Sequence, residues 1–169
     1  MTLPVQTLKC RTVARGRFSQ INYIRDLPPQ HVMENEQGER ADGGLGDLTA
    51  PNALEALLAA FGSCLALGIH ANAVAQHITV RLLELDIEAD FDSTATWGSS
   101  NFMPKTIGLE MIRVSVHLDA DAPREQLAAL VEHAALWSPV ANTLYNPVHL
   151  DVSLADSGDE SISKTIERA

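Results

Sequence analysis

The longest apolar segment of the chain is typical of a buried helix. Apart from Ser63 and Cys64, no strongly polar residue occurs over 56–69. Asn52, followed three residues later by Glu55, has the form of an N-cap with its capping-box partner. The pattern predicts a helix over 53–76, apolar on all sides and buried in a protein interior. Small residues would let neighbouring backbones approach this helix, namely Ala59, Ala60, Gly62, Ser63, Ala66, Gly68, Ala71 and Ala75.

Two shorter helices are predicted in the second half of the chain. Apolar residues recur at helical spacing over 123–137, and Asp121 is the expected N-cap. Ser138-Pro139 then ends this helix and caps a third, which is predicted to run to about Leu144.

Apolar and polar residues alternate in the predicted strands. The alternation slips by one residue at Leu82-Leu83 within 78–90, and again after Met111 within 107–120. A β-bulge explains each slip, and matching bends predict that these two strands are neighbours in one curved sheet. Further strands are predicted near 5–14, 18–26, 30–34 and 148–154, and a Gly- and Asp-rich loop over 38–48.

The predicted order of elements is βββ, long loop, α, ββ, αα, β, which indicates an α+β fold. No internal repeat or linker divides the chain. We therefore expect one domain over 1–155, followed by a polar, poorly ordered C-terminal tail over 156–169.

Charge and composition restrict the partners. The 169 residues include 12 Lys and Arg against 22 Asp and Glu, a net charge of −10 without a basic block, which disfavours nucleic acid and anionic membranes. His70 and Asn72 interrupt the apolar segment before it reaches the roughly 20 residues of a membrane span. Two cysteines and no secretory signal pattern indicate a cytoplasmic protein. Small molecules or proteins remain as partners.

Several polar groups are interpreted as structural. His70 and His77 share a helix face about 10 Å apart, too far to bind one ion side by side, and no metal or cofactor is expected. The glycines of Gly43-Gly44-Leu45-Gly46 lack the spacing of a dinucleotide site. His133 is expected to contact Trp137 within its helix. Alternate acidic residues indicate a solvated sheet face, formed by Glu84, Asp86, Glu88 and Asp90.

Cys64 is the residue for which chemistry and packing compete. A free cysteine inside an apolar helix is usually a small hydrophobic residue. A reactive cysteine is a thiolate, and in mid-helix a thiolate needs a nearby cation. Three arginines of the N-terminal strands could supply it, namely Arg15, Arg17 and Arg25. Cys10, in a predicted strand beside Lys9 and Arg11, is interpreted as structural.

Three motifs carry a family resemblance. Residues 49–66 read Thr-Ala-Pro-Asn-Ala-Leu-Glu-Ala-Leu-Leu-Ala-Ala-Phe-Gly-Ser-Cys-Leu-Ala, and residues 138–148 read Ser-Pro-Val-Ala-Asn-Thr-Leu-Tyr-Asn-Pro-Val. Residues 22–29 read Asn-Tyr-Ile-Arg-Asp-Leu-Pro-Pro. Together these motifs resemble the OsmC/Ohr family of osmotically inducible and organic hydroperoxide resistance proteins, and the similarity covers roughly 18–154.

The resemblance implies both a fold and an activity. The fold is a curved antiparallel sheet wrapped around long central helices, in an intertwined homodimer with its sites at the subunit interface. The activity is a peroxiredoxin-like thiol peroxidase, in which a cysteine attacks the O–O bond of an organic hydroperoxide and becomes a sulfenic acid. By position, Cys64 matches the reactive cysteine and Glu55 the carboxylate that orients an arginine. Arg25 matches that arginine, with Arg17 as the alternative.

The chain departs from the family pattern at Ser138, where peroxidases carry a second cysteine that forms a disulfide. Glu55 also lies nine residues before Cys64, on the opposite face of a straight helix. Contact between them requires a bend at Gly62 or a carboxylate from the partner subunit. Two functions stay open: a one-Cys peroxidase of oxidative stress defence recycled by an external thiol, or a non-catalytic dimer that binds an apolar small molecule.

Overall fold

The computed structural model of the protein describes residues 7–14, 19–33, 50–91 and 108–154. The predicted loop over 38–48, the C-terminal tail, Arg15, Arg17 and Gly43 to Gly46 lie outside these residues. The described part contains three helices and two antiparallel sheets, which confirms the α+β class.

The N-terminal strands form a sheet in sequence order. Strand β1 spans Arg11–Ala14, β2 spans Ser19–Tyr23 and β3 spans Gln30–Met33, each antiparallel to the next. The three predicted strands are confirmed, although each is shorter than its hydrophobic pattern. Cys10 precedes β1 and is exposed, so its predicted place inside a strand is wrong.

The second sheet is a long hairpin. Strand β4 spans Val80–Phe91 and pairs antiparallel with β5, Leu109–Ala120, which confirms that the two strands are neighbours. Each contains a bulge, with Arg81 as the extra residue of β4 and Glu110 as that of β5. The bulges lie at opposite ends of the ladder, so they do not match as predicted. The described strands thus form two separate sheets, the three-stranded N-terminal sheet and this two-stranded hairpin.

The solvent face of the hairpin is charged, as predicted for its acidic residues. Arg113 donates to both carboxylate oxygens of Asp90 at 2.7 Å, and Arg81 forms an ion pair with Asp119. The hydrogen bond from Arg113 holds the pKa of Asp90 below its ordinary value, and that from Arg81 does the same for the pKa of Asp119. All four groups are exposed, so water and salt screen these pairs.

Helix α1 spans Ala53–Ala75 and begins as the sequence predicts. The side-chain oxygen of Asn52 accepts from the Glu55 amide at 2.8 Å, and the Glu55 carboxylate accepts from the Asn52 amide at the same distance. This reciprocal pair is a capping box and satisfies two amides that the first turn leaves without helical partners.

One face of α1 is buried and the other is not. The buried residues recur every fourth position: Phe61, Leu65, Ile69 and Ala73. On the outer face Leu67 is 71% exposed and Val74 is 72% exposed. A single chain therefore does not bury α1 on all sides as predicted, because the elements that pack on it, α2, α3, β3 and β4, leave its outer face uncovered.

Two glycines of α1 allow the close approach that its small residues predict. A Cβ atom at Gly62 would lie 2.6 Å from Cδ1 of Ile87 on β4. A Cβ atom at Gly68 would lie 3.2 Å from Cβ of Ala134 on α2. A larger side chain at Gly68 would press on Ala134 and its backbone, whereas one at Gly62 would displace the end of the Ile87 side chain.

The described residues include one helix long and apolar enough to cross a membrane, and it is α1. This helix packs on α2, α3 and β4, as the central helix of an α+β domain does. Its packing therefore favours the predicted place in the protein interior over a membrane span.

Helices α2 and α3 follow β5. Helix α2 spans Arg124–Trp137, but Asp121 is not its cap, because its carboxylate accepts from the Thr79 amide at 2.5 Å. Pro123 occupies the N-cap position and provides no side-chain hydrogen bond. Helix α3 spans Pro139–Tyr145 and is capped by Ser138, as predicted.

The predicted final strand over 148–154 is absent. These residues have no regular secondary structure, and Val152 and Leu154 are more than nine-tenths exposed. A strand needs a neighbour for its backbone amides and carbonyls, and no described strand of the same chain pairs with this segment.

Candidate functional site

Cys64 lies in the middle of α1, at the border between its two faces. It is a free cysteine and its side chain is partly buried. Phe61 and Leu65, one turn before it and directly after it, belong to the buried face. Cys64 thus lies where the buried face of α1 meets its uncovered face.

Ser138 contacts the Cys64 sulfur from the start of α3. Packing of α3 on α1 brings together two residues that are 74 positions apart, and the Ser138 hydroxyl donates to Sγ of Cys64 at 3.2 Å. Ser138 is only 3% exposed. Its oxygen also accepts from the Ala141 amide at 3.1 Å, which is the N-cap bond of α3.

The position that the resemblance assigns to a second cysteine is therefore in contact with Cys64. A hydroxyl cannot form a disulfide, but it can donate a hydrogen bond to sulfur. From the sequence, Ser138 is predicted as the start of α3 and as the position of a missing thiol, but its contact with Cys64 is not predicted. The Ser-Pro helix start was a visible signal for the cap, but nothing in the sequence indicated the direction of the hydroxyl.

Glu55 is held at the N-terminal end of α1. Its carboxylate forms the capping box with Asn52, and the helix continues without interruption from Ala53 to Ala75. Nine residues of helix separate Glu55 from Cys64 by roughly 13 Å along the axis. Within one chain, the structure therefore does not bring the predicted carboxylate to the sulfur.

Arg25 lies in the turn between β2 and β3, where the Leu27 amide donates to the Ile24 carbonyl at 3.2 Å. Its side chain is exposed, and no hydrogen bond or ion pair joins it to Cys64 or Glu55 in the part of the chain that the structure describes. Arg25 has a φ of 52°, a left-handed conformation that is uncommon for a residue with a side chain. The turn directs this arginine outward, away from its own domain core.

The histidines do not extend the site. His70 and His77 are both exposed, and His133 stacks on Trp137 with ring centroids 6.0 Å apart, which confirms the predicted contact within α2. Within the described ranges, no group of three His, Cys, Asp or Glu side chains could hold a metal ion. The chemistry available at this site is that of the thiol and its neighbouring hydroxyl.

Solved structures share this fold at low sequence identity. An OsmC-like protein from Mycoplasma pneumoniae matches with a TM-score of 0.65 and 14% identity, over 83% of this chain and 88% of that chain. An organic hydroperoxide resistance protein OsmC from Legionella pneumophila matches with a TM-score of 0.58 and 16% identity, over 84% and 91% of the two chains. An OsmC-like protein of unknown function from Vibrio cholerae matches with a TM-score of 0.61 and 12% identity, over 82% and 93%.

At these identities the solved structures show a similar fold, and the family is shown by a comparison of the sequence with family models. No curated protein matches the sequence. A family model described as OsmC-like protein matches residues 44–153, which include α1 with Cys64 and α3 with its cap Ser138. Since that match spans more than half of the chain, the protein belongs to the OsmC-like family.

Proposed function

We propose that the protein reduces organic hydroperoxides with Cys64 as its reactive thiol, in defence against oxidative stress. The observation that carries the proposal is the free Cys64 on the central helix, half-buried and hydrogen-bonded through its sulfur to Ser138. Support comes from the OsmC-like family and from a structural neighbour that is named an organic hydroperoxide resistance protein.

The proposed reaction begins with the Cys64 thiolate and a hydroperoxide. The sulfur attacks the terminal peroxide oxygen, so an S–O bond forms while the O–O bond breaks, and two electrons pass from sulfur to the peroxide. The leaving alkoxide takes a proton from water and departs as an alcohol. Cys64 is then a sulfenic acid.

An external thiol completes the cycle. One thiol condenses with the sulfenic acid, which releases water and leaves a mixed disulfide on Cys64. A second thiol attacks that disulfide and restores the Cys64 thiol. No thiol of this chain takes that part among the described residues, because Ser138 is the neighbour of Cys64 and Cys10 is exposed before β1.

A second copy of the chain completes the site in this proposal. The outer face of α1 leaves Leu67 exposed one turn after Cys64 and Val74 exposed farther along the helix, so the single chain does not cover these apolar side chains. We propose that a homodimer buries this face and that Arg25 and Glu55 act near Cys64 across the interface. The exposed place of Arg25 on its turn supports this role.

The test of the activity is the consumption of cumene hydroperoxide by the purified protein with dithiothreitol as reductant. We expect the wild type to consume peroxide over many turnovers, Cys64→Ser to do so no faster than buffer, and Cys10→Ser to match the wild type. Equal rates in the wild type and Cys64→Ser would contradict the proposal and favour the alternative, a dimer that binds an apolar small molecule.

Sedimentation tests the dimer separately. Leu67→Lys places a charge on the outer face of α1, and Leu82→Lys places the same charge on the solvent face of the hairpin. We expect the first variant to dissociate into monomers at concentrations where the wild type and the second variant remain dimers. A monomeric wild type, or a dimer unaffected by Leu67→Lys, would contradict the proposed interface.

A further inference from the structure

We infer that the Ser138 hydroxyl is the hydrogen-bond donor that holds the Cys64 sulfur in its thiolate form. The inference rests on the proposed function, since it assigns to Ser138 a part in the same site. On this inference, the serine at the position of the second cysteine has a function of its own. The residue at that position loses the ability to close a disulfide and gains the ability to stabilise the attacking group.

The hydrogen bonds of Ser138 leave its hydrogen available to the sulfur of Cys64. A serine hydroxyl has one hydrogen to donate and two lone pairs to accept. One lone pair accepts from the Ala141 amide at 3.1 Å, which orients the oxygen at the start of α3. The other contact of the hydroxyl is Sγ of Cys64 at 3.2 Å. A thiolate has no hydrogen to donate, so with an ionised Cys64 the hydroxyl is the donor of this bond.

Burial makes this hydrogen bond matter. At 3% exposure, Ser138 has little access to water, and a buried donor without a partner is unfavourable. The sulfur of a thiolate carries a full negative charge and accepts a hydrogen bond more strongly than the sulfur of a thiol does. The geometry thus places a buried hydroxyl against the atom that carries the charge of an ionised Cys64.

The same contact limits the route of the substrate. The oxygen of Ser138 occupies the side of Sγ that faces α3, so the peroxide has to approach from the uncovered face of α1. The sulfenic acid then forms on that side, where an external thiol can reach it. Ser138 thus fits a peroxidase that is recycled from outside, and a hydroxyl at this position needs no redox change of its own.

The test measures the rate at which iodoacetamide alkylates Cys64 in the full chain, resolved from Cys10 by peptide mass spectrometry. Ser138→Ala removes the donor, and Ser138→Gly removes it at little cost to the N-cap. Ser138→Thr keeps the hydroxyl. Thr143→Ala is the matched control, since it removes an exposed hydroxyl of α3 that donates to the Pro139 carbonyl at 2.9 Å.

We expect alkylation near neutral pH to slow roughly tenfold in Ser138→Ala and Ser138→Gly, the size typical of a lost hydrogen bond to a charged group. Ser138→Thr and Thr143→Ala should react as the wild type does. The difference should disappear at alkaline pH, where the thiol ionises without a donor. This pH profile separates stabilisation of the thiolate from a change in access, which would slow the reaction at every pH.

Equal rates at neutral pH would overturn the inference, and so would a difference that persists at alkaline pH or a Ser138→Thr variant as slow as Ser138→Ala. The measurement needs no peroxide. A wild type that fails to consume cumene hydroperoxide contradicts the proposed function, whereas the alkylation series decides the role of Ser138 alone.

Discussion

Both faces of α1 carry large apolar side chains, but their environments are opposite. The inner face buries Ile69 to 1% exposure against its own chain, whereas Leu67, two residues earlier, is 71% exposed. A helix that is apolar on all sides is typical of a protein interior, yet a single chain buries only one side of this helix. In the proposed homodimer, a second chain covers the exposed face, and Cys64 lies at the border between the two faces.

The largest expected effect comes from truncating one residue on each face. Ile69→Ala opens a cavity in the core and should lower the free energy of unfolding by about 2–5 kcal/mol at every protein concentration. Leu67→Ala should lower it by less, and only at concentrations where the dimer forms, because the dimer contributes to stability by mass action. Urea unfolding at two protein concentrations separates the two variants. An effect of Leu67→Ala that does not vary with concentration would contradict a shared interior.

A second comparison enlarges a small residue on each face. Gly68→Val meets Ala134 of α2 and should destabilise the protein by about 1–3 kcal/mol through overpacking. Ala71→Val is its control on the outer face, where helix propensity alone predicts a change below about 0.7 kcal/mol in a monomer. Thermal unfolding of dilute protein measures both. Equal losses would show that the outer face is as tightly packed as the inner one.

The capping box should contribute less to the free energy of unfolding, and its contribution does not depend on either face of α1. Asn52→Ala removes the acceptor for the Glu55 amide and should cost about 1 kcal/mol. Glu55→Gln keeps an oxygen that can accept from the Asn52 amide, so it should cost less. If Glu55→Gln keeps the fold and loses peroxidase activity, Glu55 acts beyond its cap. If it keeps both, the cap is its whole role.

The smallest effect is expected on the charged face of the hairpin, away from α1. The pKa of Asp90 lies below its ordinary value of 3.8 because Arg113 donates to it. A lowered pKa in the folded state adds stability above the ordinary pKa, and that stability is lost as the pH falls below about 4. We expect Arg113→Ala to be slightly less stable than the wild type at neutral pH, with a difference that shrinks as the pH falls below about 4 and that salt reduces. A loss of stability that stays constant with pH would point to packing by the arginine stem.

Elements fixed by local interactions could be predicted from the sequence. The caps of α1 and α3 depend on residues three positions apart, Asn52 with Glu55 and Ser138 with Ala141, and both are confirmed. The predicted cap of α2 is wrong because the Asp121 carboxylate instead accepts from the Thr79 amide, 42 residues earlier in the chain. The bulges were placed only approximately, since their position depends on the register with the partner strand.

The features that could not be predicted from the sequence depend on segments that are distant along the chain. The apolar alternation over 148–154 is real, but a strand forms only where a neighbour offers hydrogen bonds, and this chain offers none among its described strands. The contact of Ser138 with Cys64 spans 74 residues and follows from the packing of α3 on α1. Sequence alone identified both residues but not their hydrogen bond.

One variant probes that contact directly. The oxygen of Ser138 lies 3.2 Å from the Cys64 sulfur, so Ser138→Cys should bring two sulfurs within reach of a disulfide. We expect peroxide to consume both of these thiols in the variant and to leave a mass two hydrogens lower. A variant that keeps both thiols free under peroxide, while its Cys64 still oxidises, would contradict the geometry of the site.

The most direct test of the account is the product on Cys64 after a brief exposure to one equivalent of cumene hydroperoxide without reductant. Dimedone traps a sulfenic acid, and peptide mass spectrometry locates it. The account predicts one dimedone adduct on the Cys64 peptide of the wild type, none in Cys64→Ser and an unchanged adduct in Cys10→Ser. An unmodified Cys64, or an adduct confined to Cys10, would contradict it.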